Sequence, residues 1–199
     1  MAPRPDVSEE RKNQILDAAT EVFIQKGFDK ARMDDIVEQT GLSKGTLYWY
    51  FKSKYDIIIN VLDRIFLGSI ERLKSQQKNT DLSASQALWQ FTEVAIQDYL
   101  KMMSLMPVAY EFLALAFRNK IVQKALKQYM EQYMKALVPI IQRGIDSGEF
   151  RSMDASEVAI AIGAIFEGTV LLWVYDKELV DPERHIHAGV EILLEGLRA

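Results

Sequence analysis

The chain contains no cysteine, which removes disulfides, thiolate metal sites and cysteine nucleophiles together. A chain without thiols suits the reducing cytoplasm, where we expect it to work. Five prolines and ten glycines in 199 residues leave little room for irregular structure. The apolar–polar alternation of a half-buried strand is absent, and the long 3.6-period segments are filled with Ala, Leu, Glu, Lys and Gln. The N-terminal stretch MAPRPDVSEERK has no apolar run, so it does not read as a signal peptide. Histidine is scarce: His185 and His187 are the whole supply, and a spacing of two places them on different helix faces, so neither a metal site nor a cofactor is expected. No nucleophile–base set stands out, which argues against a helical enzyme.

What is present is ordinary globular material, 49% hydrophobic and 26% charged, with enough length to bury a substantial core. The pattern predicts an all-α protein of about nine helices. Residues 1–7 read as a loose arm. Ser8 suits the N-cap of a first helix whose apolar stripe is Ile15, Leu16, Ala18, Ala19, Val22 and Phe23, with Gly27 as its stop. A second helix spans about 33–40 and stops at Gly41; Ser43 caps a third, about 44–50. Ser53 with Asp56 opens a fourth helix running to about 77, and Ser83 with Gln86 opens a fifth after the polar connection 76–85. Pro107 suits the first turn of a sixth helix. Pro139 predicts a kink or break in a long seventh, 119–147. Asp154 with Glu157, and Asp181 before Pro182, open the last two helices.

Residues 33–54, MDDIVEQTGLSKGTLYWYFKSK, carry the functional signal. Ile36, Val37, Leu42, Leu47 and Phe51 can share one small core. Tyr48, Trp49, Tyr50 and Phe51 cannot all be buried on one short helix, because each residue turns about 100° around the axis. Exposed rings beside lysines normally face a partner, here a DNA major groove. The net charge of −4 does not oppose this. Residues 1–54 balance nine bases against nine acids, and no acid lies between Gln39 and Tyr55. A local basic face suffices, since screening confines charge effects to about 8–10 Å. Ser43 can cap the reading helix, Gly45 allows close backbone approach, and Lys44 and Thr46 are in reach of base edges. Tyr48, Tyr50 and Lys54 suit phosphate contacts, and Trp49 a thymine methyl or sugar.

The run Arg11…Ile15-Leu16…Ala18-Ala19…Phe23…Gly27-Phe28…Ile36…Thr40 through Lys54 resembles the signature of the TetR family of transcriptional regulators over residues 8–60. The resemblance implies a helix-turn-helix DNA-binding domain at 8–53 and a helical effector-binding and dimerisation domain at 54–199. It implies DNA contact by Ser43, Lys44, Gly45, Thr46, Tyr48, Trp49, Tyr50 and Lys54, to which Arg32 and Thr40 are added as candidates. Arg32 departs from the usual Thr or Ser. A guanidinium cannot accept a capping bond, so it is expected to hold a phosphate while another group caps the second helix. Val37 replaces the usual Ala.

Beyond residue 60 the resemblance is weaker. The apolar stretch 158–175 approaches the length of a membrane span, yet Glu167 interrupts it and no second span exists; we read it as a buried helix of a soluble protein. The eighth and ninth helices can pair with their copies across a two-fold axis as a four-helix bundle. Soft and aromatic residues mark a candidate effector site, Trp89, Tyr99, Met103, Met106, Tyr110, Tyr133 and Phe166, for a largely apolar small molecule. Glu111 and Glu167 join them as acids in apolar sequence that need a partner. The expectation is a homodimeric repressor on a palindromic operator, released by its effector. The alternative is a regulator of the same kind without a small-molecule effector.

Overall fold

The structure, a computed structural model, describes residues 7–64 and 82–198. Those residues form nine α-helices and no strand. The helices are α1 (Val7–Lys26), α2 (Met33–Thr40), α3 (Lys44–Tyr50), α4 (described over 54–64), α5 (Ala84–Met102), α6 (Met106–Ala116), α7 (Lys120–Asp146), α8 (Ala155–Tyr175) and α9 (Pro182–Leu197). A single 3₁₀ turn, Met103–Leu105, precedes α6. Residues 1–6 of the proposed arm 1–7, the expected course of the fourth helix beyond residue 64, and residues 76–81 of the polar connection lie outside the described residues; Val7 belongs to α1.

Most helix starts obey their sequence signals. Ser43 Oγ accepts from Thr46 N–H at 3.1 Å. Ser83 and Gln86 exchange both bonds of a capping box, at 3.2 and 3.0 Å. Asp154 and Asp181 cap α8 and α9. At α4 the box is shifted: Asp56 N–H bonds Ser53 Oγ, but the Asp56 carboxylate reaches back to Lys52 N–H instead of Ser53. One expectation fails, and of the kink or break expected at Pro139 the break does not occur. α1 already includes Val7, so Ser8 is a helical residue and not the N-cap. Pro139 lies inside a continuous α7; its ring is on the exposed side while Ala136, Leu137, Ile140 and Ile141 are buried, and packing of that face outweighs the lost backbone bond.

The chain divides into two compact units, Met1–Leu67 with Met103–Lys127, and Gly68–Met102 with Gln128–Ala199. In the first, Ile15, Ala19, Phe23, Ile36, Leu47, Phe51, Ile57 and Ile58 are almost wholly buried. Phe28 packs its ring 5.4 Å from Phe23, 5.2 Å from Tyr55 and 6.5 Å from Phe112 of α6. This unit therefore extends past residue 53 and takes in α6.

The second unit has its own core of Leu88, Phe91, Ile96, Leu137, Ile141, Phe150, Ile162, Phe166, Ile186 and Val190. The α5 start is fixed from far along the chain, since the Glu149 carboxylate accepts from Ala84 N–H at 2.7 Å and Ser85 N–H at 2.8 Å. Partial burial pushes that carboxyl up. The hydrogen bonds from Ser85, Ala84 and Ser83 outweigh it, leaving the group below its ordinary 4.5. A carboxyl depressed on folding gives stability that is complete above its unfolded value and is lost as pH falls through the folded value. Glu149→Gln is expected to cost about 1 kcal/mol at neutral pH. It should also remove this acid-side loss, which thermal melts across pH 3–7 on both proteins will read.

α8 is long and apolar enough, by length and composition alone, to cross a membrane. It is not buried all round within the chain. Val158, Ala159, Ile162, Phe166 and Val170 face the core. Ile160, Leu171, Leu172, Val174 and Tyr175 are exposed, as is Ile192 on α9.

Candidate nucleic-acid interface

Three short elements build the site. α2 closes on Gly41, whose φ of +67° lets its N–H reach back to Val37 O at 3.1 Å. Two residues later Ser43 starts α3, and Ser43 Oγ also meets Thr46 Oγ1 at 2.8 Å. Leu47 and Phe51 point inward, 0% and 1% exposed. The helical turn then sends the intervening rings outward: Trp49 is 69% exposed, Tyr48 39%, and Tyr50 half-buried. Trp49 and Tyr50 stand edge to face with centroids 4.6 Å apart, so each restricts the other.

Gly45 is the informative small residue. A Cβ there would meet only Ser43 Oγ, at 3.8 Å. Nothing inside the chain requires glycine at a helix position where it costs about 1 kcal/mol. Lys44 is exposed, and its ammonium pairs with Asp34 at 2.6 Å, which raises its pKa above the ordinary 10.5.

The structure gives two candidates, Thr40 and Lys54, other work, and leaves Arg32 exposed. Thr40 is 9% exposed; its Oγ1 donates to Val37 O at 2.9 Å and accepts from Leu42 N–H at 3.2 Å, so its hydroxyl closes the turn and is not offered to DNA. Lys54 donates to the backbone carbonyls of Phe28, Asp29 and Ala31 and lies 4.4 Å from the Phe28 ring centroid. Its ammonium is thus spent within the protein, and burial lowers its pKa despite the carboxylates of Asp29 and Glu111. Arg32 is exposed and caps nothing with its side chain. The Asp35 carboxylate serves instead, accepting Arg32 N–H at 2.8 Å and Lys26 Nζ at 2.9 Å. The Lys26 bond, then the Arg32 N–H, hold Asp35 below its ordinary 3.8. An acid three residues after Arg32 was a legible signal for this.

The effector candidates fall in separate units. Met103, Met106, Tyr110 and Glu111 belong to the first, and Trp89, Tyr99, Tyr133, Phe166 and Glu167 to the second. Neither acid is buried as its sequence neighbours suggested. Glu111 accepts Phe28 N–H at 2.5 Å, just after Gly27, whose φ is +75° and whose Cβ would lie 2.9 Å from Glu111 Oε1. That carboxylate is a clasp on the α1 exit. Glu167 accepts from Tyr99 OH at 2.8 Å, while Tyr99 packs 5.5 Å from the Phe166 ring. Tyr133 OH donates to Ala159 O at 3.0 Å; burial, then the Glu167 charge, push its phenol above its ordinary 10. Trp89 stacks beside His187, which meets Glu93 at 2.6 Å.

Residues 15–61 match the profile of bacterial regulatory proteins of the tetR family, and residues 85–197 that of the C-terminal part of BetI-type transcriptional repressors. The chain is 31% identical to the HTH-type transcriptional regulator YfiR of Bacillus subtilis (strain 168) over 74% of this chain and 73% of that one. It is 28% identical to the fatty acid metabolism regulator protein of the same organism over 92% of this chain and 94% of that one. Among solved structures it is similar to the transcriptional regulator FadR of Bacillus subtilis in complex with stearoyl-CoA. The TM-score there is 0.80 at 27% identity, over 94% of this chain and 99% of that one.

Proposed function

The chain belongs to the TetR family of bacterial transcriptional regulators, and from that premise we propose that it is a cytoplasmic homodimeric repressor, released from its operator by a largely apolar small molecule. It is a DNA-binding regulator and not an enzyme. The observation that carries the reading is the outward tip of α3, where Trp49 and Tyr48 stand exposed over a sealed Leu47 and Phe51. Adjacent exposed rings beside Lys44 on one short helix form a patch that favours a partner there. We assign DNA binding to residues 8–53, with Arg32, Ser43, Lys44, Gly45, Thr46, Tyr48, Trp49 and Tyr50 at the duplex. Thr40 and Lys54 support that surface from behind. The open space at Gly45 favours a partner that comes close to the backbone there.

Effector binding and dimerisation fall to residues 54–199. The apolar side chains left exposed on α8 and α9 support pairing with a second copy. Two α3 tips about 34–36 Å apart would then read successive major grooves of a palindrome. For the effector, the aromatic group Tyr99, Tyr133 and Phe166 favours an apolar chain or ring, and the related regulator solved with stearoyl-CoA supports an acyl thioester. Such a ligand acts only to the extent that it binds the DNA-free geometry better, a coupling typically of about 1–3 kcal/mol.

The test is a gel shift with the promoter next to the gene, repeated over a salt series, then with added stearoyl-CoA. We expect a shift whose log affinity falls linearly with log salt, and release of the duplex by micromolar stearoyl-CoA. Failure to shift any promoter duplex at low salt would overturn the DNA reading; a shift that is indifferent to acyl-CoA would overturn the effector class alone.

A further inference from the structure

We propose that Asp34 determines the sequence discrimination of the α3 tip by holding Lys44 on the groove side and away from phosphates. The inference rests on the reading that this tip meets DNA. Asp34 sits in the first turn of α2, Lys44 in the first turn of α3, and their charged groups meet at 2.6 Å. Both side chains are mostly exposed, 61% for Lys44 and 69% for Asp34, so packing does not force the contact. The neighbouring acid is already engaged: Asp35 is bound to Lys26 and to the Arg32 N–H. Residues 40–54 hold no acid, so Asp34 is the carboxylate that reaches Lys44 from another element.

The consequence follows from the three donors of an ammonium. At a guanine edge Lys44 uses two of them on O6 and N7. The third can stay on Asp34, so the ion pair survives specific binding. A phosphate lies off the groove floor, and its charge repels Asp34. A Lys44 ammonium that bridges both would hold two anions close together, a cost absent at an uncharged guanine edge. Asp34 therefore costs little at the right base pair and more on any other duplex. Discrimination is gained by penalising the wrong complex rather than by a new attractive contact. Such acids look adverse in a DNA-binding surface when each is scored only against phosphates.

The experiment uses a short duplex enriched by the full-length protein from a random pool, against a shuffled duplex of equal length. Affinities are measured over a salt series for the unaltered protein, Asp34→Asn, Lys44→Ala and the double variant. Asp34→Asn is expected to tighten the shuffled duplex about fivefold, the upper range for an exposed ion pair, while leaving the enriched duplex within about twofold. Its salt slope on the shuffled duplex should steepen by about one, the signature of an added phosphate contact. In the Lys44→Ala background the same substitution should leave discrimination unchanged. An equal shift on both duplexes, or an effect that persists without Lys44, would make Asp34 a plain surface charge and overturn the proposal. If the unaltered protein enriches no duplex, the DNA reading of the tip has failed, and the proposal fails with it. Both substitutions are at exposed positions, and circular dichroism of each variant checks that the fold is retained.

Discussion

Ile192→Asp is expected to turn the protein into a folded monomer that loses operator affinity by about 100-fold or more. Ile192 is 71% exposed on α9, so its replacement leaves the core of Ile186, Val190, Leu194 and Leu197 intact. Exposed substitutions of this kind normally change folding stability by only about 0.5 kcal/mol. In the proposed dimer the same position is buried against the other copy, with the exposed apolar side chains of α8, and a carboxylate forced in there without a partner would cost several kcal/mol. The DNA effect follows from linkage of two sites. One tip bound to one half-site holds the other near its own, and that effective concentration is lost when the copies separate. Light scattering after size exclusion, circular dichroism and gel shift read the three parts. An unchanged dimer with unchanged operator binding would remove α9 from the interface. A monomer with full affinity would mean that one tip suffices.

What the sequence makes legible here is the local part of the physics. Ser43, Ser83 with Gln86, Asp154 and Asp181 cap the helices they were expected to cap, because an N-cap is decided within about four residues. The outward rings of α3 follow from helix periodicity alone, and Trp49 is exposed as that geometry requires. Contacts that bridge distant segments are not legible. Glu111 reads as an orphan acid in apolar sequence, and its partner is a backbone N–H 83 positions away. Glu149, which fixes the start of α5, has its partners 65 and 64 positions away, and no neighbouring residue marks it. Asn119, whose side chain accepts from Ile121 and Val122 N–H at the head of α7, is by contrast a local N-cap signal. The α8 stretch shows the limit of hydropathy: it says that the helix avoids water, but not whether its own chain or a second copy covers each side.

Lys54 is the sharpest case, since its position in the sequence suits a phosphate contact and its place in the fold does not. Its ammonium gathers the carbonyls of Phe28, Asp29 and Ala31, the turn that joins α1 to α2. That turn needs outside help. Gly27 has a φ of +75°, so the chain leaves α1 abruptly, and the carbonyls of 28–31 have no helical ladder to enter. Glu111 secures the N–H side of the same turn. Lys54→Met keeps the apolar stem over Phe28 and removes the charge. Because the site is only partly buried, water can take up some of the loss, and we expect a cost of about 2 kcal/mol rather than the full value of three charge-assisted bonds. The melting temperature should therefore fall by several degrees. At a temperature where the variant is fully folded, the salt slope of operator binding should match that of the unaltered protein. A phosphate-binding lysine would do the reverse, leaving the melt unchanged while lowering the slope by about one. The two roles thus separate in one pair of measurements. A shallower slope with no thermal penalty would put Lys54 on the DNA and leave the turn to hold itself.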